Sequence, residues 1–405
     1  LPLPVGLGVT WVGLEWVAAH VPGVSYAWLN AGGSLAWWPW AADWISLGGA
    51  PLLTAWTVGV GLMVGDAAST RRSRTLVLAS AAACLPVIAG TLTPKDRSLG
   101  TPRSVAAVQP GRPAPGEGAT LFAWQEAISR AWEGRSPDLV VFPERFLAAA
   151  PDTGTSDHRL AAVLGAPVLF GAVDTLRSGD SPGGAGSGPS PVGEDAPGDG
   201  PGRVVVANAA FLVRPGASGR QVAHKRRLVP WLESGGVVPG RPGGAGYEPG
   251  RDAVVFDLGG WQVGVLICYD VAFSQVAREL AGQGADALVV ISNDDWLDPE
   301  KPARTTVAYW QHETLGRLRA AESGIPLVQV ATTGRTFSVD SWGRRDMGLV
   351  GGPPPLESAV ATLQVRTGAR ARRFPNLGRF LGLVGVLTLT LGAWPERVRA
   401  VRIRS

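Results

Sequence analysis

The sequence predicts an α/β domain flanked by transmembrane helices, and three observations predict it. From about Val105 to Val365, short β-branched runs alternate with amphipathic helical stretches. Three apolar stretches occupy the first ninety or so residues, and a fourth lies near the C-terminus. Hydrophobic residues make up 45% of the 405 and charged residues only 17%, against a usual charged share of about 25%. That balance points towards lipid. The length also exceeds what one ordinary core accommodates.

The first apolar stretch runs from Val5 to Ala19, interrupted by Glu15, and the next two cover Leu47 to Val64 and Leu76 to Leu92. A bilayer core needs roughly 20 helical residues, so the second and third fit a span and the first is marginal. Between the first two lie Trp28, Trp37, Trp38, Trp40 and Trp44 without any lysine or arginine. This segment reads as an interfacial aromatic belt in an outer loop. Arg71, Arg72 and Arg74 then place the following turn in the cytoplasm. These residues, 1–95, form the expected membrane region. The formal charge of +4 is explained by such arginines and by the tail Arg397, Arg399, Arg402 and Arg404, all flanking apolar runs, so nucleic acid is not an expected partner.

The runs SVAAVQP, PDLVVFPE, APVLFGAV, RVVVANAAFLV, WQVGVLICYD, ADALVVISND and IPLVQVATTG read as largely buried strands of one α/β domain, residues 100–370. Within it, Ser178 to Gly202 is almost wholly Gly, Pro, Ser and acid and cannot bury enough apolar surface to order itself. A last stretch, 377–395, completes the expected topology as a C-terminal span. The chain starts at Leu1 without the charged region of an ordinary signal peptide. Two cysteines, Cys84 and Cys268, are too few for a disulfide framework.

Three residues stand where chemistry collects. Glu144 follows the strand DLVVF and Pro143, which halts the ladder, and apolar neighbours would raise its pKa towards that of a general base. By position alone it is equally a solvated acid. Cys268 ends the strand VGVLI and precedes DVAFSQVARELAGQG, where Ala272, Val276 and Leu280 repeat at helical spacing. A helix N-terminus there would lower the thiol pKa, although a lone cysteine is more often a small buried hydrophobe. Lys225 lies in a basic triplet that by itself reads as a solvated face.

Taken together, VVFPE, HKRRLVPWLE and LICYD resemble, in that order, the Glu, Lys and Cys motifs of the nitrilase superfamily. The phrases KRRLVPWLE, ISNDDWLDP and WQHETLGRLRAAESGIPLVQVATTG, with the flanking apolar helices, are similar more narrowly to the apolipoprotein N-acyltransferases. The resemblance implies an αββα sandwich with Glu144 as base, Lys225 as oxyanion stabiliser and Cys268 as nucleophile. It implies a phospholipid acyl donor, a Cys268 thioester and a diacylglyceryl lipoprotein acceptor, with no metal and no cofactor. It also implies a multi-pass protein of the bacterial cytoplasmic membrane whose catalytic domain lies outside. The same triad would serve a membrane-tethered amidase.

By the same resemblance Glu233 orients Lys225 or stabilises an intermediate, the Tyr269 amide assists the oxyanion, and Asn208 and Trp296 stand near the site. Gln311 and His312 are expected on the polar face of a helix. Three features depart from the family. Asp270 stands where the family has glutamate. Ser234 to Gly250 is rich in glycine and proline where the family has a hydrophobic lid. The family's first membrane helices find no match.

Overall fold

The computed structural model describes residues 3–21, 25, 27–28, 30–71, 73–92, 100–111, 124–132, 136–150, 156–176, 205–234, 246–294, 302–349, 359–368 and 377–390. The expected insertion at 178–202, Trp296, most of 234–250 and the C-terminal arginines lie outside these residues.

Two sheets of six strands carry the α/β domain. The first holds β1 (Thr101–Gln109), β2 (Leu139–Val141), β3 (Val168–Leu176), β4 (Val205–Val213), β5 (Arg220–His224) and β12 (Ala359–Thr367) in the order β12-β1-β2-β3-β4-β5. The second holds β6 (Val255–Asp257), β7 (Gln262–Ile267), β8 (Ala287–Ser292), β9 (Leu327–Ala331), β10 (Thr336–Val339) and β11 (Arg345–Leu349) in the order β11-β10-β9-β8-β7-β6. Side chains of a strand alternate between faces, and the two faces of each sheet are filled differently. Val105, Ala107, Leu139 and Val141 of the first sheet meet Val263, Val265, Val289 and Val330 of the second in a common core. The alternate residues Ala106, Val108, Val140 and Phe142 pack under Ile128 of α4 (Gln125–Ala131) and Leu160 of α5 (Ser156–Leu164). On the far side, Leu266, Leu288 and Val290 pack under α6 (Ser274–Gly282) and α7 (Pro302–Ser323). The layers are therefore α-β-β-α. Burial on both faces explains why these strands read as continuous apolar runs.

The remaining helices are α1 (Leu3–His20), α2 (Ala41–Thr70), α3 (Ser73–Leu92) and α8 (Leu377–Thr390). Among the described residues, α2 alone is long and apolar enough to cross a membrane by length and composition. It is broken at Gly49, whose φ of +67° suits glycine and few other residues, with Pro51 following. Helices α1 and α8 cross at glycines. A Cβ on Gly13 would lie 2.4 Å from the carbonyl carbon of Gly385, and one on Gly385 would lie 2.4 Å from the oxygen of Val9. Small residues permit this approach of backbones, and Thr10 and Thr388 hydroxyls meet beside it at 3.2 Å.

The tryptophans take partners within the protein. Trp28 donates to Gln311 at 2.7 Å and Trp37 to Thr314 at 2.8 Å, both on α7, while Trp40 and Trp44 pack against Trp56. Only Trp38 of the five is exposed, at 58%. The segment docks the N-terminal helices onto the α/β domain. An indole buries a large apolar face while its N–H takes a partner, so composition alone does not separate this role from a lipid belt.

The glycine crossing yields a paired prediction. Gly385→Val should lower the apparent Tm of the detergent-solubilised protein by several degrees, because its Cβ meets backbone that cannot rotate away. Gly6→Ala, with nothing within 4 Å of its added carbon, should leave Tm unchanged or raise it, as alanine favours helix by about 1 kcal/mol.

Candidate active site

Glu144, Lys225 and Cys268 reach one place from three strand ends. Glu144 follows β2, Lys225 follows β5, and Cys268 follows β7. The five-residue β5, RQVAH, has only weak strand character, and no strand was expected there. It delivers the lysine directly, pairing with β4 so that Ala209 faces His224, and the next amide, of Lys225, donates to the Asn208 carbonyl at 2.8 Å. The chain at Glu144 lies against β3 at Gly171, where a Cβ would fall 2.6 Å from the Glu144 Cα. A larger residue at 171 would push the glutamate away.

The Lys225 ammonium is 1% exposed and donates to Glu144 Oε1 and Glu233 Oε1, each at 2.9 Å. Asn208 Nδ2 donates to the same two oxygens, at 2.7 Å and 3.2 Å. The second oxygen of Glu144 accepts from the Asn293 amide at 2.8 Å, and that of Glu233 from the Val229 amide at 2.8 Å. The surroundings of Glu144 are thus polar, not the apolar setting expected. Burial alone would lower the pKa of Lys225, but Glu144, with Cys268 and Glu233, reverses this and holds it well above its ordinary range. The lysine stays charged.

Cys268 opens a short 3-10 turn, Cys268–Ala272, with φ of +48°. A side chain in that region costs about 1 to 3 kcal/mol and persists only where surrounding contacts enforce it. Asp270 provides them. One of its oxygens accepts from the Ile267 amide at 3.0 Å, and the other from Arg227 at 2.7 Å and Arg226 at 3.2 Å. The shorter acid therefore ties the Cys268 turn to the lysine loop through backbone alone. Burial raises Asp270 to about 6.

The thiol contradicts the expected low pKa. Burial, then Glu144, pushes Cys268 well above its ordinary value, with Lys225 opposing them. The physical reason is burial first, with Glu144, Asp294 and Glu233 adding negative charge against one lysine, and α6 begins only at Ser274, after the 3-10 turn. At rest the group is a thiol.

Around these residues lies a cleft of about 610 Å³, including its mouth, lined also by Arg145, Val229, Leu232 and Tyr247. Trp231 and Leu232 are exposed, at 58% and 48%. Of the other expected residues, Asn208 and Glu233 join the cluster. Tyr269 turns its ring towards the N-terminal segment, its hydroxyl donating to the Ser25 carbonyl at 2.8 Å and its ring stacking on Trp28. Gln311 accepts from Trp28.

His312 was expected on a polar helix face, yet it is fully buried, its Nδ1 3.1 Å from Asp294 Oδ1. Asp294 also accepts from the Ser292 hydroxyl. These groups brace the turn after β8 that presents the Asn293 amide to Glu144. The run SND at a strand end was the available signal, but nothing in the sequence paired it with a histidine eighteen residues on.

Removing the lysine should leave two carboxylates buried without a counter-charge. Lys225→Met is expected to destabilise the fold by about 3 to 5 kcal/mol, read from denaturant unfolding followed by tryptophan fluorescence. A loss under 1 kcal/mol would contradict the buried arrangement.

Comparison with known proteins identifies the family. The model of the carbon-nitrogen hydrolase family matches residues 104–372, well over half of the chain. An apolipoprotein N-acyltransferase of Geobacter metallireducens is 31% identical over 173 residues, 41% of this chain and 31% of the relative. One of Thermotoga maritima is 33% identical over 144 residues, 34% and 27% of the two chains. One of Chlorobaculum tepidum is 25% identical over 429 residues, 95% of this chain and 76% of the relative. In the first two the match spans under a third of the relative's length. The α-β-β-α layers, the strand-end cluster and the family match together place the chain in the carbon-nitrogen hydrolase family, within the nitrilase superfamily.

Proposed function

We propose that the protein transfers a fatty acyl chain from a phospholipid to the N-terminal amine of a diacylglyceryl lipoprotein, through a thioester on Cys268. The observation that carries this reading is the charged Lys225 held between Glu144 and Glu233 in the cleft that Cys268 lines. Similarity to proteins named apolipoprotein N-acyltransferase supports the substrate class, and the apolar α2 supports a membrane setting. The positive-inside pattern of Arg71, Arg72 and Arg74 supports a multi-pass protein of the bacterial cytoplasmic membrane with its α/β domain outside.

In the first half-reaction the Cys268 thiol gives its proton to Glu144 as the sulfur attacks the ester carbonyl. The raised thiol pKa makes this transfer concerted with attack, since a free thiolate is disfavoured beside two carboxylates. Lys225 donates to the oxyanion, a contribution of roughly 3 to 4 kcal/mol for a preorganised donor. Collapse breaks the ester C–O bond, the leaving alkoxide takes the proton from Glu144, and a lysophospholipid departs. In the second half-reaction the lipoprotein amine attacks the thioester, Glu144 takes the amine proton, and the amide forms as the sulfur leaves and regains its proton. Glu233 and Asn208 hold Lys225 and Glu144 in register throughout. Exposed Trp231 and Leu232 offer an apolar lip to the incoming chains.

Incubated with labelled phospholipid alone, the protein should hold an acyl group that hydroxylamine releases, and Cys268→Ala should hold none. Glu144→Gln and Lys225→Ala should each fail at this step. A peptide with an N-terminal diacylglyceryl cysteine should discharge the acyl-enzyme far faster than water. Equal discharge by water would make the protein a hydrolase, and label persisting in Cys268→Ala would remove the assigned nucleophile.

Asp270 predicts the pH dependence. In the folded protein it ionises at about 6, against about 4 in an unfolded chain. Between those values the folded state holds a proton that the unfolded state has lost, so this group's contribution to stability falls as pH rises through the window. Activity runs the other way, because the charged acceptor holds the turn more strongly. Acyl-enzyme formation should fall roughly tenfold as pH drops through 6, matching about 1.4 kcal/mol between charged and neutral acceptors. In Asp270→Asn the rate should be low and this limb absent; a limb that persists belongs to another group.

A further inference from the structure

A second cavity, about 870 Å³ including its mouth, lies where α1 and the start of α2 meet the residues after the Cys268 turn. It shares no lining residue with the active cleft, and no step of the proposed reaction uses it. Val12, Trp16 and Ala19 of α1 and Phe273 give it apolar lining, beside Glu15 and His20 of the same helix.

The charges along it divide into satisfied and unsatisfied groups. Glu15 accepts from the Ala31 amide at 2.8 Å, the Thr54 hydroxyl at 3.0 Å and the Trp11 indole at 3.2 Å. Glu322 and Arg319 pair with each other at 2.9 Å. Arg227 and Arg278 differ. Among the described residues neither guanidinium has an ion-pair partner; Glu279, the nearby acid, is taken by Arg226 at 2.7 Å. Arg227 instead lies over the Phe273 ring at 4.9 Å. The lining thus carries two guanidinium groups outside any ion pair among the described residues, with Glu279 acting on Arg227 at longer range, together with apolar side chains.

We propose that this cavity binds the phosphate of a membrane lipid through Arg227 and Arg278, with an acyl chain lying along Val12, Trp16 and Ala19. Guanidinium groups match phosphate oxygens with paired donors, and the apolar lining accounts for a chain that free phosphate does not have. The neighbouring α2, long and apolar enough to cross a membrane, gives a lipid lateral access. The proposal rests on the membrane reading of α2 and not on acyl transfer, and it is tested where acyl transfer cannot occur.

The test uses the full chain carrying Cys268→Ala in an uncharged maltoside micelle, with binding read by native mass spectrometry. Phosphatidylglycerol should bind at least tenfold more tightly than diacylglycerol, which lacks the phosphate. Adding Arg227→Gln and Arg278→Gln together should erase that difference, while the thermal transition stays within a few degrees. A second variant, Ala19→Trp, fills the apolar lining without touching either arginine and should also weaken phosphatidylglycerol at least tenfold. Millimolar inorganic phosphate should displace none of the lipid. Phosphatidylglycerol binding that is unchanged in both variants would overturn the proposal, as would displacement by inorganic phosphate, which would mark a free-anion site. Failure here leaves the thioester reading of Cys268 untouched, since that residue is absent from the test.

Discussion

The site depends on one buried ammonium. Lys225 sits between two carboxylates in a place where either acid alone would be costly to ionise and where the lysine alone would be costly to charge. Its bonds to Glu144 and Glu233 bring the end of β2 and the 225–233 loop to fixed positions, and Asn208 repeats both contacts from β4. The cluster carries net negative charge with the lysine protonated. Burial first, and then Glu144, holds the Cys268 thiol pKa well above its ordinary value against the opposing pull of Lys225.

Geometry around this charge is held by backbone amides more than by side chains. Asn293 fixes Glu144, Val229 fixes Glu233, and Ile267, Arg226 and Arg227 fix Asp270. An amide has no rotamer to lose, so each carboxylate oxygen is aimed without further ordering cost. Asp270 suits this arrangement. Its stem is one methylene shorter than that of glutamate, yet it spans the Cys268 turn and the lysine loop because both backbones come to it.

The strands around the site were legible because they are buried on both faces and read as unbroken apolar runs, as in DLVVF and VGVLI. RQVAH was not legible, since its pairing comes from β4 and its own residues are half polar. That Glu144, Lys225 and Cys268 would line one cleft was legible through three short motifs in order. The brace of Ser292, Asp294 and His312 was not, because a helix wheel marks His312 only as polar and nothing local reveals that α7 turns it inward. The packing of the tryptophans was not legible for a related reason: indoles serve lipid interfaces and packed helix junctions alike, and their partners Gln311 and Thr314 lie far along the chain.

Those partners bear on how the apolar helices relate to the chemistry. The break at Gly49 frees the Ala50 amide, which donates to Glu322 at 3.2 Å. Glu322 pairs with Arg319, and Arg319 donates to the carbonyls of Val271 at 3.1 Å and Ala272 at 2.9 Å. Those carbonyls end the turn that Cys268 begins. A strained residue holds its conformation only through contacts at both ends of its turn; Asp270 secures the near end, and Arg319 secures the far one. Because Arg319 and Glu322 are both buried, loss of either partner would leave an uncompensated charge in the core. The pair is therefore kept in place by the same packing that seats α2 on α7. The conformation of the Cys268 turn and the seating of the apolar helices are in this way one structural condition, because the same buried pair of Arg319 and Glu322 serves both.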